Sequence, residues 1–306
     1  MRVGVVDLGT NSTRLLVADV EDGRVDEVAR ETRITRLGEG VDERRKLLPL
    51  PIARVRNVLA DFRRELEKRE AERVLAIGTS AIRDAENGEA FLGEIEWSYG
   101  FSTRLLSGDD EAALTRRGVA NGRELDRDTL VLDVGGGSTE LITARTRTSL
   151  DLGSVRLTER FLASDPPSPE ELDACAQAVG EALPVLQPVA AIGVAGTITS
   201  LAALELGRYD PERVHGHRLS REAVEAQLER LASVPVAVRR AFPGLEPERA
   251  PVIVAGAVIV DQVLRRYALD ELEVSERDIL HGAALEAAAL PEAEEGDAPP
   301  GAYTSC

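Results

Sequence analysis

Aromatic side chains are nearly missing from this chain, at 3% of 306 residues with a single Trp. That scarcity excludes a surface built to stack nucleic-acid bases. Lysine is scarce as well: apart from Lys46 and Lys68 every basic residue is Arg, and acids outnumber bases by 54 to 37. The net charge of −17 argues against general binding to nucleic acid or to an anionic membrane. A polyanionic substrate stays open, because local arginines and a metal decide that. Two cysteines, Cys175 and Cys306, give neither a disulfide framework nor a metal-ligand spacing, which suits a reduced, cytoplasmic setting. The longest strongly apolar run, residues 252–260, is too short to cross a bilayer. A strand is expected directly after Met1 and Arg2, which leaves no room for a signal peptide. His215, His217 and His281 stand without paired acids at ligand spacing and read as structural or peripheral.

What the chain does have is a repeat. Residues 5–18, VVDLGTNSTRLLVA, return as residues 131–144, VLDVGGGSTELITA, with seven of fourteen positions identical in register. Each copy is an apolar run, an Asp, a tight polar-glycine turn and a second apolar run, which reads as a β-hairpin. Such a turn aims successive backbone N–H groups and a hydroxyl at one point, an anion-binding nest. Gly9, Thr10, Asn11 and Ser12 form the first turn. In the second, Gly135, Gly136 and Gly137 let a backbone approach an anion closely, and Ser138 and Thr139 follow. Asp7 and Asp133 suit a hard cation such as Mg²⁺. The chemically important difference is Arg14 against Glu140 at matching positions: a cation in one copy, an extra carboxylate in the other. Two such turns facing each other would clamp a phosphate from both sides.

The length and the 43% hydrophobic content favour two domains over one. Each hairpin opens an α/β lobe, placed at 1–122 and 123–290, followed by a disordered acidic, Pro-rich tail over 291–306. A nucleotide-type cleft between duplicated lobes is the architecture expected. Three further junctions carry candidate chemistry. Gly78-Thr79-Ser80-Ala81-Ile82-Arg83 follows a strand and precedes a helix start, where an anion is favoured and Arg83 adds a charged fork; an ordinary capped helix with a surface Arg reads equally well. Ser107-Gly108-Asp109-Asp110-Glu111 places acids in a first helical turn. There they serve as dipole complements, unless one of them positions a water for hydrolysis. Gly196 and Thr197, after the strand ending at Val194, touch a ligand or only permit close helix–strand packing.

Taken together these motifs resemble the Ppx/GppA family, the exopolyphosphatases and guanosine pentaphosphate phosphohydrolases of the actin/Hsp70/sugar-kinase superfamily. The likeness runs from Asp7-Leu8-Gly9-Thr10-Asn11-Ser12 with Arg14, through Gly78–Ala85, Ser107–Ala112 and Asp133–Glu140. It continues in Leu152-Gly153-Ser154-Val155-Arg156, Gly196–Thr199 and His215-Gly216. The resemblance implies a duplicated two-lobed, ribonuclease H-like α/β fold with an interdomain cleft. It makes Glu111 the catalytic base and Arg83 a phosphate contact. Asp133 and Glu140 become Mg²⁺-associated carboxylates, with Asp7 facing them and Mn²⁺ as a substitute metal. Asn11, Ser138 and the glycine-loop amides fall on phosphate contacts.

Thr10 stands where the family often has Ser, which keeps a hydroxyl. The chain resembles the short form, without a further His/Asp-rich domain, so short chains become plausible substrates. The activity implied is Mg²⁺-dependent hydrolysis of the terminal phosphoanhydride of inorganic polyphosphate, releasing orthophosphate. The rivals are a pppGpp 5′-phosphohydrolase, a sugar or acetate kinase, and a non-catalytic polyphosphate or alarmone sensor. A homodimer is expected from the resemblance alone, and the segment 252–264 reads as interface or core.

Overall fold

The computed structural model describes residues 1–291, and the tail expected over 291–306 lies outside them beyond Pro291. The chain divides into two compact units, one formed by Met1–Gly122 with the segment from Ile279, the other by Arg123–Asp278.

The first unit is built on five strands: β1 (Arg2–Leu8), β2 (Ser12–Glu21), β3 (Arg24–Ile34), β4 (Arg73–Gly78) and β5 (Ser102–Leu105), in the order β3-β2-β1-β4-β5. β1 pairs antiparallel with β2 and parallel with β4. Strand alternation splits the side chains of this sheet into two sets. Val6, Leu8, Leu15, Val17 and Ala76 face one core, filled by Val55, Leu59, Phe62 and Leu66 of the Pro49–Lys68 helix. Those four recur at helical spacing, the pattern of an amphipathic helix on a sheet.

Val3, Val5, Leu16, Ala18, Leu75 and Ile77 face the other way. Their cover is the last helix, Ile279–Ala287, through Ile279, Leu280, Ala283, Ala284 and Ala287. The second unit therefore ends at Asp278, not at residue 290 as the sequence suggested. The physical reason is plain: the sheet face opposite the Pro49–Lys68 helix needs an apolar partner, and a small-residue stripe late in the chain supplies it. Helical periodicity identifies such a stripe but not the sheet it will cover.

The second unit carries six strands: β6 (Thr129–Val134), β7 (Thr139–Ile142), β8 (Arg147–Leu150), β9 (Ala190–Val194), β10 (Arg218–Ser220) and β11 (Glu271–Val274), ordered β10-β11-β9-β6-β7-β8. β6 repeats the part of β1, antiparallel to its hairpin partner and parallel to the next long-range strand, so each repeat forms the centre of its own mixed sheet. The apolar run at 252–260 falls in the helix Ile253–Arg266, buried along nearly its whole length in this unit's core. It is core, the second of the two readings left open for it. No helix among the described residues is long and apolar enough to cross a membrane.

Leu280 is fully buried against the first sheet. Leu280→Ala should destabilise the protein by about 2–5 kcal/mol, read as a lower urea midpoint. An unchanged midpoint would mean the helix is not part of that core.

Candidate active site

The two hairpin turns are held by the same device. In the first, the Gly9 amide donates to Ser12 O at 3.0 Å; in the second, the Gly135 amide donates to Ser138 O at 3.0 Å. The carbonyls of each turn are then captured from behind. Thr10 O accepts from the Gly38 amide at 2.8 Å, and Asn11 O from Thr35 and Arg36 at 3.1 and 2.9 Å. Gly135 O accepts from Ser154 N at 3.0 Å, and Gly136 O from Val155 and Arg156 at 2.8 and 3.2 Å. The Arg156 side chain completes the set, its Nε donating to Gly137 O at 2.7 Å.

In a trans peptide the carbonyl and the following N–H point in opposite directions. Capturing three successive carbonyls therefore turns the N–H groups of Gly136, Gly137 and Ser138 away from the 153–156 segment. The same argument turns the Asn11 and Ser12 amides away from 35–38. Each turn becomes an amide cradle that favours an anion.

A glycine makes each backing segment possible. A Cβ on Gly153 would lie 2.3 Å from Gly136 C and 2.4 Å from Gly137 N, and one on Gly38 would lie 2.2 Å from Thr10 Cγ2. Both glycines follow a leucine that lies two or three residues beyond the third strand of their unit. The duplication thus extends beyond the hairpin itself. Asn11 adds a side chain only 6% exposed, whose Oδ1 is buried and accepts no hydrogen bond among the described residues.

The charged positions differ between copies as their sequences do. Asp7 and Arg14 lie opposite each other on β1 and β2. Arg14 Nε and Nη2 contact Asp7 Oδ2 at 2.8 and 2.7 Å. The cation of the first copy is thus engaged with the residue expected near metal. Asp133 and Glu140 are the equivalent opposing pair on β6 and β7, and both are buried. Glu140 Oε1 accepts from Ser149 Oγ at 2.7 Å. Two carboxylates directly opposite on antiparallel strands repel each other, and a hard divalent cation relieves that. Among the described residues no three His, Cys, Asp or Glu gather as a metal cage. One or two carboxylates together with substrate phosphates is the usual set for Mg²⁺, and Asp133 with Glu140 fits it.

The helix Gly108–Val119 resolves the ambiguity of its acids. Ser107 caps it, accepting from Asp110 N at 3.1 Å while Asp110 Oδ2 accepts from Ser107 N at 3.1 Å, a capping box. Ser107 and Arg104 hold the Asp110 carboxyl below its ordinary pKa, the hydrogen bond from the Ser107 hydroxyl first. Asp110 is structural and Asp109 is exposed. Glu111 is different: only 5% exposed, it accepts from Arg83 Nη1, which also donates to Leu106 O at 2.8 Å. A dipole complement has no need of burial, and burying a carboxylate is costly unless it is paired. Arg83 comes from the single turn Ser80–Arg83 after β4, so the two junctions singled out in the sequence meet in one ion pair.

Gly196 and Thr197 separate in role. Thr197 is buried against Gly256, where a Cβ would lie 2.5 Å from its Cγ2, a packing position. Gly196 lies under a guanidinium, with a Cβ there 2.1 Å from Arg249 Nη1. Arg249, whose Nε donates to Glu246 Oε2 at 2.9 Å, thereby sets its guanidinium at the start of the helix Ala195–Leu206. Ala195 enters that helix at φ 69°, a left-handed conformation rarely held by alanine. Sequence reasoning missed Arg249, which no local motif marks, and gave Arg156 no role. His217 contacts Glu205 at 3.0 Å and His215 Nδ1 accepts from Glu276 N at 3.2 Å, both structural.

Gly153→Ala pushes a methyl into the second cradle and should weaken tripolyphosphate binding about tenfold or more, measured by titration calorimetry. Arg156→Lys, which loses the planar donor to Gly137 O, should weaken it in the same direction. Unchanged affinity in both would show that the cradle is not set from behind.

Comparison with known proteins places this geometry. The chain is 38% identical over 311 residues to Exopolyphosphatase 2 of Mycobacterium tuberculosis, across 93% of this chain and 98% of that one. Over 294 residues it is 29% identical to the guanosine-5′-triphosphate,3′-diphosphate pyrophosphatase of Vibrio vulnificus, covering 92% of this chain but 58% of that protein. The solved structure of an exopolyphosphatase from Cytophaga hutchinsonii superposes with a TM-score of 0.84 at 26% identity, over 92% of this chain and 96% of that one. The model of the Ppx/GppA phosphatase family matches residues 16–289. By sequence and by fold, this chain belongs to the Ppx/GppA phosphatase family.

Proposed function

We propose that the protein is an exopolyphosphatase that hydrolyses the terminal phosphoanhydride of inorganic polyphosphate and releases orthophosphate. The observation that carries this reading is the buried Glu111 carboxylate at a helix start, held by Arg83 and serving no capping role. The 38% identity to a mycobacterial exopolyphosphatase supports it.

Each unit carries an amide cradle suited to phosphate oxygens. Glu111 accepts a proton from the attacking water, the water oxygen forms a bond to the terminal phosphorus, and the bridging P–O bond breaks to leave the shortened chain. Arg83 offsets charge on the substrate. Because its guanidinium is shared between Glu111 and Leu106 O, an arriving phosphate competes for it and loosens its hold on the base. Asp133 and Glu140 would hold Mg²⁺, which when bound neutralises non-bridging oxygens. Asp7 is the poorer ligand, since Arg14 already neutralises it.

A second reading, hydrolysis of the 5′-phosphate of pppGpp, draws on the relative from Vibrio vulnificus and uses the same groups. Orthophosphate release from tripolyphosphate, long-chain polyphosphate and pppGpp, with Mg²⁺ and with EDTA, separates the two. Metal-dependent release from polyphosphate is expected. Release from pppGpp alone moves the protein to the second reading, and no release from any of them favours a sensor.

Glu111→Gln should lower kcat by about 10²–10⁴ with the fold retained by circular dichroism. Wild-type turnover in that variant would sink the assignment. Glu140→Gln should raise the Mg²⁺ concentration for half-maximal rate by about tenfold or more, read from metal titrations of the initial rate.

A further inference from the structure

The helix that bears Glu111 is seated on the far end of the chain. Gly108–Val119 packs against Ile279–Ala287, with Leu114 in the same core as Leu280, Ala283 and Ala284. Two independent contacts fix that seat. The first is steric: a Cβ on Gly282 would lie 2.0 Å from Leu114 O and 2.7 Å from its carbonyl carbon, so only glycine permits the approach. The atoms met are helix backbone one turn beyond Glu111, which cannot swing aside as a flexible side chain can. The second contact is ionic: Arg104 on β5 donates Nη2 to Asp110 Oδ1 at 2.7 Å and Nη1 to Glu286. Asp110 immediately precedes Glu111 and closes the capping box with Ser107. The Arg104 guanidinium is held above its ordinary pKa, the hydrogen bond to Glu286 contributing most.

The first turn of the helix is thus tied at once to its own cap and, through Arg104, to the last helix, while Gly282 sets how deep the helix lies. We propose that Gly282 and Glu286 are positioning residues for the catalytic carboxylate, acting through the 108–119 helix and touching no substrate. The inference rests on Glu111 being the base. A seat of this kind matters because a base must stand within hydrogen-bond reach of its water. A misplacement of about 1 Å can cost on the order of 10² in rate.

The test is a double-mutant cycle on the full chain, with orthophosphate release from tripolyphosphate as the readout. Gly282→Ala should lower kcat about 10- to 100-fold and leave KM within about twofold. Glu286→Gln should lower it about fivefold. In a Glu111→Gln background neither change should lower kcat further, because the group being positioned is gone. A general loss of structure would instead carry over by the same factor into that background, and such a result overturns the proposal. Full-rate turnover in both single variants, with Glu111→Gln inactive, overturns it as well and leaves the base reading intact. Wild-type turnover in Glu111→Gln overturns the base reading itself, and the seating with it. If Gly282→Ala fails to fold, Glu286→Gln carries the cycle, since it removes one charge from a half-exposed bridge.

Discussion

Phosphate binding as proposed for this protein depends on which way a handful of peptide planes face. A glycine-rich turn left to itself can flip its peptides, and a flipped plane offers an anion a carbonyl instead of an amide. Here the choice is made by hydrogen bonds behind the turn. The 35–38 segment takes the carbonyls of Thr10 and Asn11, and the 153–156 segment takes those of Gly135, Gly136 and Gly137. Once those carbonyls are fixed, the amide direction follows from peptide planarity. The backing segments can lie so close only because Gly38 and Gly153 carry no side chain.

The duplication gives both units the same cradle, and one substitution then divides the labour. At the position opposite the hairpin Asp, Arg14 makes the first copy an ion pair, while Glu140 sets a second carboxylate opposite Asp133 in the second. In the proposed reading, the asymmetric pair leaves hard-cation binding to the second unit alone.

Much of this was legible in the residues. The hairpins and their register follow from the repeated pattern, and the Arg14/Glu140 contrast is visible in the alignment of the two copies. Among the acids at 109–111 local pattern could not choose, because all three complement the helix dipole; only the family resemblance singled out Glu111. The structure separates them by what each side chain faces: solvent for Asp109, the Ser107 cap for Asp110, the interior and Arg83 for Glu111. The return of the last helix to the first unit was not legible, since periodicity reports a buried face and not its partner. Arg249 was missed for the same reason, being brought to Gly196 by tertiary packing alone.

A chain with a net charge of −17 repels a polyphosphate at long range. Its arginines do little to change that, since Arg14, Arg83 and Arg104 are each paired with acids within the first unit. Beside any bound metal, groups that act only at contact can supply the attraction. Backbone amides are suited to this: they carry no net charge, so they add nothing to the field at a distance, yet they bind strongly where several converge on one oxygen. They also keep their orientation without needing a counter-ion of their own. In the proposed reading, an anion nest fixed from behind would let so acidic a protein hold a highly charged substrate with glycine rather than lysine.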